Sequence, residues 1–152
     1  MALQLPVSSY LWVCIFAIVG TAARYFISHL TADVFYASSP NIASSGDSEF
    51  DLLVPVIFRD IWSNFIGCFV MGFLVGCESF RARNPTLYTG LTTGFCGCLT
   101  TFSAWNTAIA GIFVKGNFLA AFLCLFIGMS LSICSLDFGM AVSTKLFLLN
   151  KF

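Results

Sequence analysis

The sequence predicts an all-α membrane protein with four transmembrane helices, the third of them broken. Three observations predict it. Hydrophobic residues make up 59% of the chain and charged residues only 9%, at a mean hydropathy of +0.92, whereas a soluble domain carries about 25% charged residues. Four apolar stretches reach the roughly 20 residues that a bilayer requires. One of them contains Gly94-Phe95-Cys96-Gly97-Cys98-Leu99-Thr100-Thr101-Phe102-Ser103-Ala104-Trp105. It mixes glycines with hydroxyls and has no charge. Glycine weakens a helix by roughly 1 kcal/mol against alanine, and Thr and Ser compete for its backbone hydrogen bonds. Backbone freed from a helix survives in a membrane only when buried in protein or lining a wet cavity. The stretch therefore reads as a discontinuous helix whose break forms an ion or substrate site.

The spans cover about residues 7–29, 53–77, 87–114 and 118–142, within a single unit, 1–152. The first has no basic region before it and outruns the apolar core of a secretion signal. A polar loop, Ala37 to Glu49, separates it from the second. Gly116 and Asn117 turn the chain between the third and fourth. With both termini inside, Arg81, Arg83, Lys145 and Lys151 are cytoplasmic, the bias expected of short loops.

Composition also excludes several functions. The formal net charge is +0, so no basic surface suits nucleic acid. The seven cysteines fall mostly within apolar segments and read as small buried hydrophobes. Cys96-x-Cys98 is too tight for zinc, and the lone His29 supplies no second ligand. No nucleophile elbow, zinc-protease motif or phosphate loop is present, so no enzyme is expected.

The polar residues inside the spans carry the functional signal. On the second span Asn64, Cys68, Gly72 and Gly76 recur every four residues and share a helix face. Gly72-x-x-x-Gly76 is a close-packing motif. Asn64 needs hydrogen-bond partners in hydrocarbon, as a pore donor or as glue between helices. On the fourth span Cys124, Gly128, Ser132, Ser135 and Gly139 form one stripe of small and hydroxyl residues, either a tight interface or a polar track. Arg24, on a face with Gly20 and Ser28, is costly in lipid and is expected to line a wet vestibule. Asp60, Arg59, Glu78 and Asp137 lie near span ends, where interfacial water would solvate them. Thr100, Thr101, Ser103, Ser132 and Ser135 add hydroxyl donors. Phe102 and Trp105 add aromatic edges, which carry positive potential. Donors and ring edges suit a small, strongly hydrated anion. Free backbone at a break can face an anion with amides or a cation with carbonyls.

These residues resemble the Fluc/FEX fluoride channels across all four spans. Gly20-Thr21-Ala22-Ala23-Arg24-Tyr25 is similar to the family's first-helix motif. Asn64-Phe65-Ile66-Gly67-Cys68-Phe69-Val70-Met71-Gly72 is similar to its Asn-x-x-Gly-x-Phe-x-x-Gly second helix. The run from Gly94 to Ser103, ending Thr100-Thr101-Phe102-Ser103, resembles its most specific segment. The cysteines around Gly97 and the indole at Trp105 look more like eukaryotic members. The resemblance implies a passive fluoride channel in the membrane, expected in the plasma membrane. It implies two inverted four-helix units, either identical chains or fused halves. Gly97 and Thr100 would offer backbone carbonyls to a structural sodium ion between the units. Asn64, Thr101, Phe102, Trp105 and Ser132 would line the fluoride path, and Arg24 its vestibule. Where the family usually has a second Phe, this chain has Trp105, which offers a ring edge and an N–H. The packing residues are Gly72, Gly76 and Gly128. A single unit is expected to be too small to enclose a pore and bury the Gly72/Gly76 and Gly128/Ser132 faces at once. Two other readings stand beside this one. They are a small four-helix exporter of another substrate, which needs a mid-membrane acid, and a non-conducting scaffold half of a fused channel.

Overall fold

The computed structural model describes residues 7–38 and 49–149. Residues 39–48 of the polar loop and Lys151 lie outside the described residues. Every regular element among the described residues is helical. Helix α1 is Val7–Ser38 and α2 is Glu49–Gly76. Two short helices follow, α3 (Glu78–Arg83) and α4 (Pro85–Thr89). The chain then passes directly into a π-helix, Gly90–Cys96, and one further turn, α5 (Gly97–Leu99). Helix α6 is Phe102–Val114 and α7 is Phe118–Leu149. Gly116, at φ 83°, makes the tight turn between the last two, a conformation open to glycine at no steric cost.

Three helical stretches are long and apolar enough to cross a membrane: Val7–Val34, Pro85–Val114 and Phe118–Phe147. Asp60–Gly76 is a shorter apolar helix. It belongs to α2, whose 28 residues extend about 42 Å at 1.5 Å per residue. Large apolar side chains such as Leu11, Ile18, Phe122, Phe126 and Ile133 stand exposed around the bundle, as a helix that is hydrophobic all round requires of a lipid-facing surface. The chain is a multi-pass membrane protein.

The helices assemble as two same-direction pairs. The first is α1 with the third span. Trp12 and Phe16 lie against Gly90, Val13 against Gly94, and Gly20 against the Phe95 carbonyl. A Cβ at Gly20 would run into that carbonyl oxygen, and one at Gly94 would come within 2.6 Å of the Val13 carbonyl oxygen. The glycines let two backbones touch. The second pair is α2 with α7, again glycine-mediated. Gly72 sits on the Leu136 carbonyl, Gly139 on the Phe69 carbonyl, and Gly76 on Ser143. Ser135 Oγ donates to the Phe65 carbonyl at 2.7 Å, and Cys77 Sγ lies 3.0 Å from Ser143 Oγ. A compact apolar core of Trp105, Ala108, Ile109, Ile112 and Ala121 joins α6 to α7, with Ile61 of α2 against it.

This packing corrects two expectations. Of the Gly72/Gly76 and Gly128/Ser132 faces, Gly72 and Gly128 are already buried within one unit, against α7 and the Trp105 indole, and Gly76 and Ser132 are half-buried. The cysteines are not uniformly buried. All seven are free, but only Cys77 and Cys96 are buried, while Cys14 and Cys134 are exposed on the apolar surface.

Candidate functional site

The third span departs from α-helical geometry twice. The π-helix widens the chain by one residue per turn where α1 presses against it, a distortion often found at functional sites. At Thr100 and Thr101 the helix stops. Their backbones are extended, at φ/ψ of −91°/118° and −125°/105°. The break expected within residues 94–105 thus falls on the two threonines.

Asn64 and the break are one arrangement. In a continuing helix the Thr101 N–H would bond the Gly97 carbonyl. Here it donates to Asn64 Oδ1 at 3.0 Å. The side chain of α2 closes a backbone donor that the break exposes, as an N-cap does within one chain segment. That bond requires an oxygen at the accepting position, so the amide orientation follows from the network. The Asn64 NH₂ group is left free to donate. Asn64 thus ties two spans together, the role expected of it as glue between helices. Gly67, one turn on, leaves room for the Thr100 methyl.

A cavity of about 300 Å³ lies beside the break. Asn64 and Cys68 reach it from α2, Thr100, Phe102 and Trp105 from the break and α6, and Gly128 and Ser132 from α7. Phe102 is exposed, and its ring meets that of Trp105 edge-on at 5.9 Å and 62°. The Trp105 indole is buried and rests on Gly128, where a Cβ would run into it. Thr101 stands at the break with its backbone N–H on Asn64 and is not among the residues lining this cavity. Ser132 reaches the cavity, but its hydroxyl donates to the Gly128 carbonyl at 2.9 Å. Thr100 Oγ1 donates likewise to the Cys96 carbonyl at 2.9 Å. Both spend their protons on their own helices, which corrects the expected track of free hydroxyl donors.

Gly97 lies elsewhere. It is exposed, and its nearest neighbour across the fold is the Thr92 carbonyl, 4.0 Å from an ideal Cβ. Its own carbonyl has lost the Thr101 donor. Thr93, Ser103, Asn106 and Thr107 are also exposed along this span, an uncommon set of polar groups for a surface facing lipid.

Arg24 and Asp60 are the main departure from expectation. Arg24 Nη2 donates to Asp60 Oδ1 at 2.7 Å, with the two side chains 15% and 4% exposed. Arg24 Nη1 also approaches the Leu99 carbonyl at 3.4 Å. Arg24 does line a second cavity, of about 570 Å³, with Thr21, Ser28 and His29. Its charge, however, is matched by a carboxylate and is not a free lure for anions. Asp60 was expected in interfacial water and is instead buried. The signal that could have found it is its place one turn before Asn64, on the same helix face. At the mouth of this cavity His29 Nδ1 lies 2.9 Å from Asp33 Oδ2, both exposed. No group of three or more metal-ligating His, Cys, Asp or Glu side chains occurs among the described residues.

Residues 11–140 match the family model described as CrcB-like protein, Camphor Resistance (CrcB). The chain is 32% identical over 114 residues to a protein of Koribacter versatilis named fluoride-specific ion channel FluC, covering 74% of this chain and 77% of that one. It is 30% identical over 115 residues to the Staphylococcus aureus (strain NCTC 8325) protein named fluoride-specific ion channel FluC 1. It is 36% identical over 95 residues to fluoride export protein 1 of Schizosaccharomyces pombe. That match covers 60% of this chain but only 24% of the yeast protein.

Proposed function

This chain belongs to the CrcB-like protein family, and we propose on that footing that it is one four-helix unit of a fluoride-selective ion channel, through which fluoride leaves the cytoplasm passively. The observation that carries the reading is the bond from the Thr101 N–H to Asn64 Oδ1. It commits the amide oxygen to the break and leaves the amide hydrogens as donors beside the cavity. Fluoride is a small, strong acceptor, and losing its water must be offset by aligned donors. Phe102 and Trp105 supply ring edges of positive potential beside the same donors. No covalent chemistry is involved. The pore is built from Asn64, Thr101, Phe102, Trp105 and Ser132, and Arg24 lines its approach while paired with Asp60.

The second unit is an inverted copy of this chain or a homologous half, and α2 serves as the second of the four spans in each. The exposed polar residues Thr93, Ser103 and Asn106 support a partner beside the third span, since lipid would leave their side chains unsatisfied; Thr107, also exposed, donates to the Ser103 carbonyl at 2.9 Å. Gly97 and Thr100 offer carbonyl oxygens to a sodium ion at the contact. Carbonyl dipoles can replace the hydration shell of such an ion without a charged ligand, and the Gly97 carbonyl is without its helical donor. When bound, the ion supplies fixed positive charge between the units. The membrane concerned is the plasma membrane.

A second reading, in which this unit is a non-conducting scaffold half of a fused channel, is favoured by one fact. The matched region is only 24% of the fission-yeast relative. An exporter that works through a mid-membrane acid is disfavoured because Asp60 is already neutralised by Arg24. The deciding experiment loads liposomes containing the purified chain with potassium fluoride or potassium chloride and follows efflux. Rapid fluoride loss with chloride retained supports the channel; no fluoride loss supports the scaffold.

A further inference from the structure

We propose that the outward face of α7, centred on Asp137, is the docking surface of a partner transmembrane helix that carries a lysine or arginine at the depth of this carboxylate. Asp137 lies inside the apolar stretch Phe118–Phe147, rather than in the interfacial water expected for it. That stretch is 30 residues long, or about 45 Å, against a hydrocarbon core of about 30 Å. Asp137 stands about 7 Å from its midpoint. The packing gives the same depth, because Gly72 on the Leu136 carbonyl places Asp137 little more than one turn beyond the middle of the apolar helix Asp60–Gly76. The residues that follow, Phe138 to Val142, have no polar side chain. Lys145, the next charge on α7, is about 12 Å further along the axis. Asp137 is exposed, and among the described residues no side chain or backbone donor pairs with it. A lone carboxylate in hydrocarbon is expensive, and an aspartate stem is too short to carry it to the headgroups.

The carboxylate sits on a face that a second helix can approach closely. Gly128, Ser135 and Gly139 are buried, against Trp105 and α2. Asp137 follows Gly128 by about two and a half turns and so points the opposite way. Ser130, Cys134, Asp137 and Ala141, at spacings of four, three and four, are all exposed. They form a stripe of small side chains on the side of α7 away from α2, of the kind that lets two helix backbones come near. The stripe lines neither cavity, so it is separate from the proposed fluoride path and stands or falls apart from it. The charge identifies the occupant. A lipid ammonium stays in the headgroup layer, beyond the reach of Asp137. A lysine or arginine on a neighbouring helix carries its charge on a long stem and can meet the carboxylate at depth. The small residues beside Asp137 leave room for that stem. The pair then neutralises two charges in a medium where each alone is costly.

The test uses the full chain in phosphatidylcholine liposomes with a synthetic leucine–alanine helix that has one lysine at the depth of Asp137 and one cysteine a turn away. A short bismaleimide links that cysteine to Cys134, and loss of the product in Cys134→Ser identifies the link. The unmodified chain should trap the lysine helix on the order of tenfold more than Asp137→Leu does, the difference expected when one ion pair in lipid is lost. A helix with leucine in place of the lysine should be trapped equally weakly by both. Equal trapping of the lysine and leucine helices by the unmodified chain overturns the proposal without reliance on any variant. Asp137→Leu should keep the unfolding temperature of the unmodified chain, and a lowered one would show that Asp137 already has a partner within the chain and overturn the proposal. A Cys134–Cys134 link that forms without peptide and is lost in Asp137→Leu would assign the face to a second copy instead. Thermal stabilisation of the unmodified chain, but not of Asp137→Leu, by phosphatidylethanolamine would assign it to a lipid amine. Either result overturns the partner helix.

Discussion

Asp60 holds Arg24 at 2.7 Å across two helices, with the pair 4% and 15% exposed. Arg24 in turn reaches the Leu99 carbonyl, the last residue before the break. A buried carboxylate, a partly buried guanidinium and the end of an interrupted helix are therefore joined. The pair keeps each charge from being alone in a medium where that is expensive.

Asp60→Ala should accordingly be costly, by about 3–5 kcal/mol, because it strands the Arg24 charge. Replacing both, as Arg24→Met with Asp60→Leu, should recover most of that loss, since an apolar pair of similar volume is often as stable. Thermal unfolding in detergent reads both. Equal destabilisation by the single and double variants would show that the ion pair is not the cause.

Asn64→Asp keeps an oxygen for the Thr101 N–H but replaces the free donors with negative charge. It should leave the fold intact and cut fluoride efflux by at least about tenfold. Asn64→Leu removes the acceptor as well and should also lower stability, by about 1–3 kcal/mol for the orphaned Thr101 N–H. If the two variants behave alike in stability, the Thr101 bond contributes nothing.

Gly97 separates folding from pairing. Its ideal Cβ meets only the Thr92 carbonyl oxygen at 4.0 Å, so a side chain fits within one unit. Gly97→Leu should leave the unfolding temperature of the isolated unit unchanged while abolishing pairing and any sodium dependence of efflux. Thr100→Ser should be mild, because the proposed ligand is its carbonyl. Crosslinking and efflux measured with and without sodium check both.

Gly72→Ala makes the contrasting case. A methyl there would collide with the Leu136 carbonyl, so α2 and α7 must separate, at a cost of about 1–3 kcal/mol or more. A wild-type unfolding temperature would mean that the helices already stand further apart than described.

Phe102→Ile should reduce fluoride efflux without loss of stability. The ring is 62% exposed, so little packing is lost, but an aliphatic side chain offers no positive edge. Wild-type efflux from this variant would remove Phe102 from the pore.

The sequence carried much of this, for reasons that are physical. Length and apolarity alone locate the long helices, because hydrocarbon imposes both. The break was legible because Gly94, Gly97, Thr100 and Thr101 make no sense in a lipid-facing helix. The four-residue spacing of Gly72 and Gly76 named a packing face but not its partner. That partner, Leu136 to Ser143 of α7, is set by tertiary geometry that periodicity does not encode. Asp60 was misplaced because its neutralising charge lies on α1. The hydroxyls of Thr100 and Ser132 were read as donors to a pore because residue type reveals an O–H, not where it points. The π-helix had no local signature beyond its glycines.

The pairing of α2 with α7 sets a constraint on biosynthesis. Ser135 and the Phe65 carbonyl that it bonds are 70 residues apart in sequence, and the two helices run in the same direction. A same-direction neighbour cannot follow at once, since the chain must first cross back. As the chain emerges, α2 enters the bilayer with its glycine groove uncovered and keeps it so until α7 is made. The groove is open for that interval to any other small-residue helix in the membrane. Order of insertion, as much as final contact energy, then decides which helix it receives.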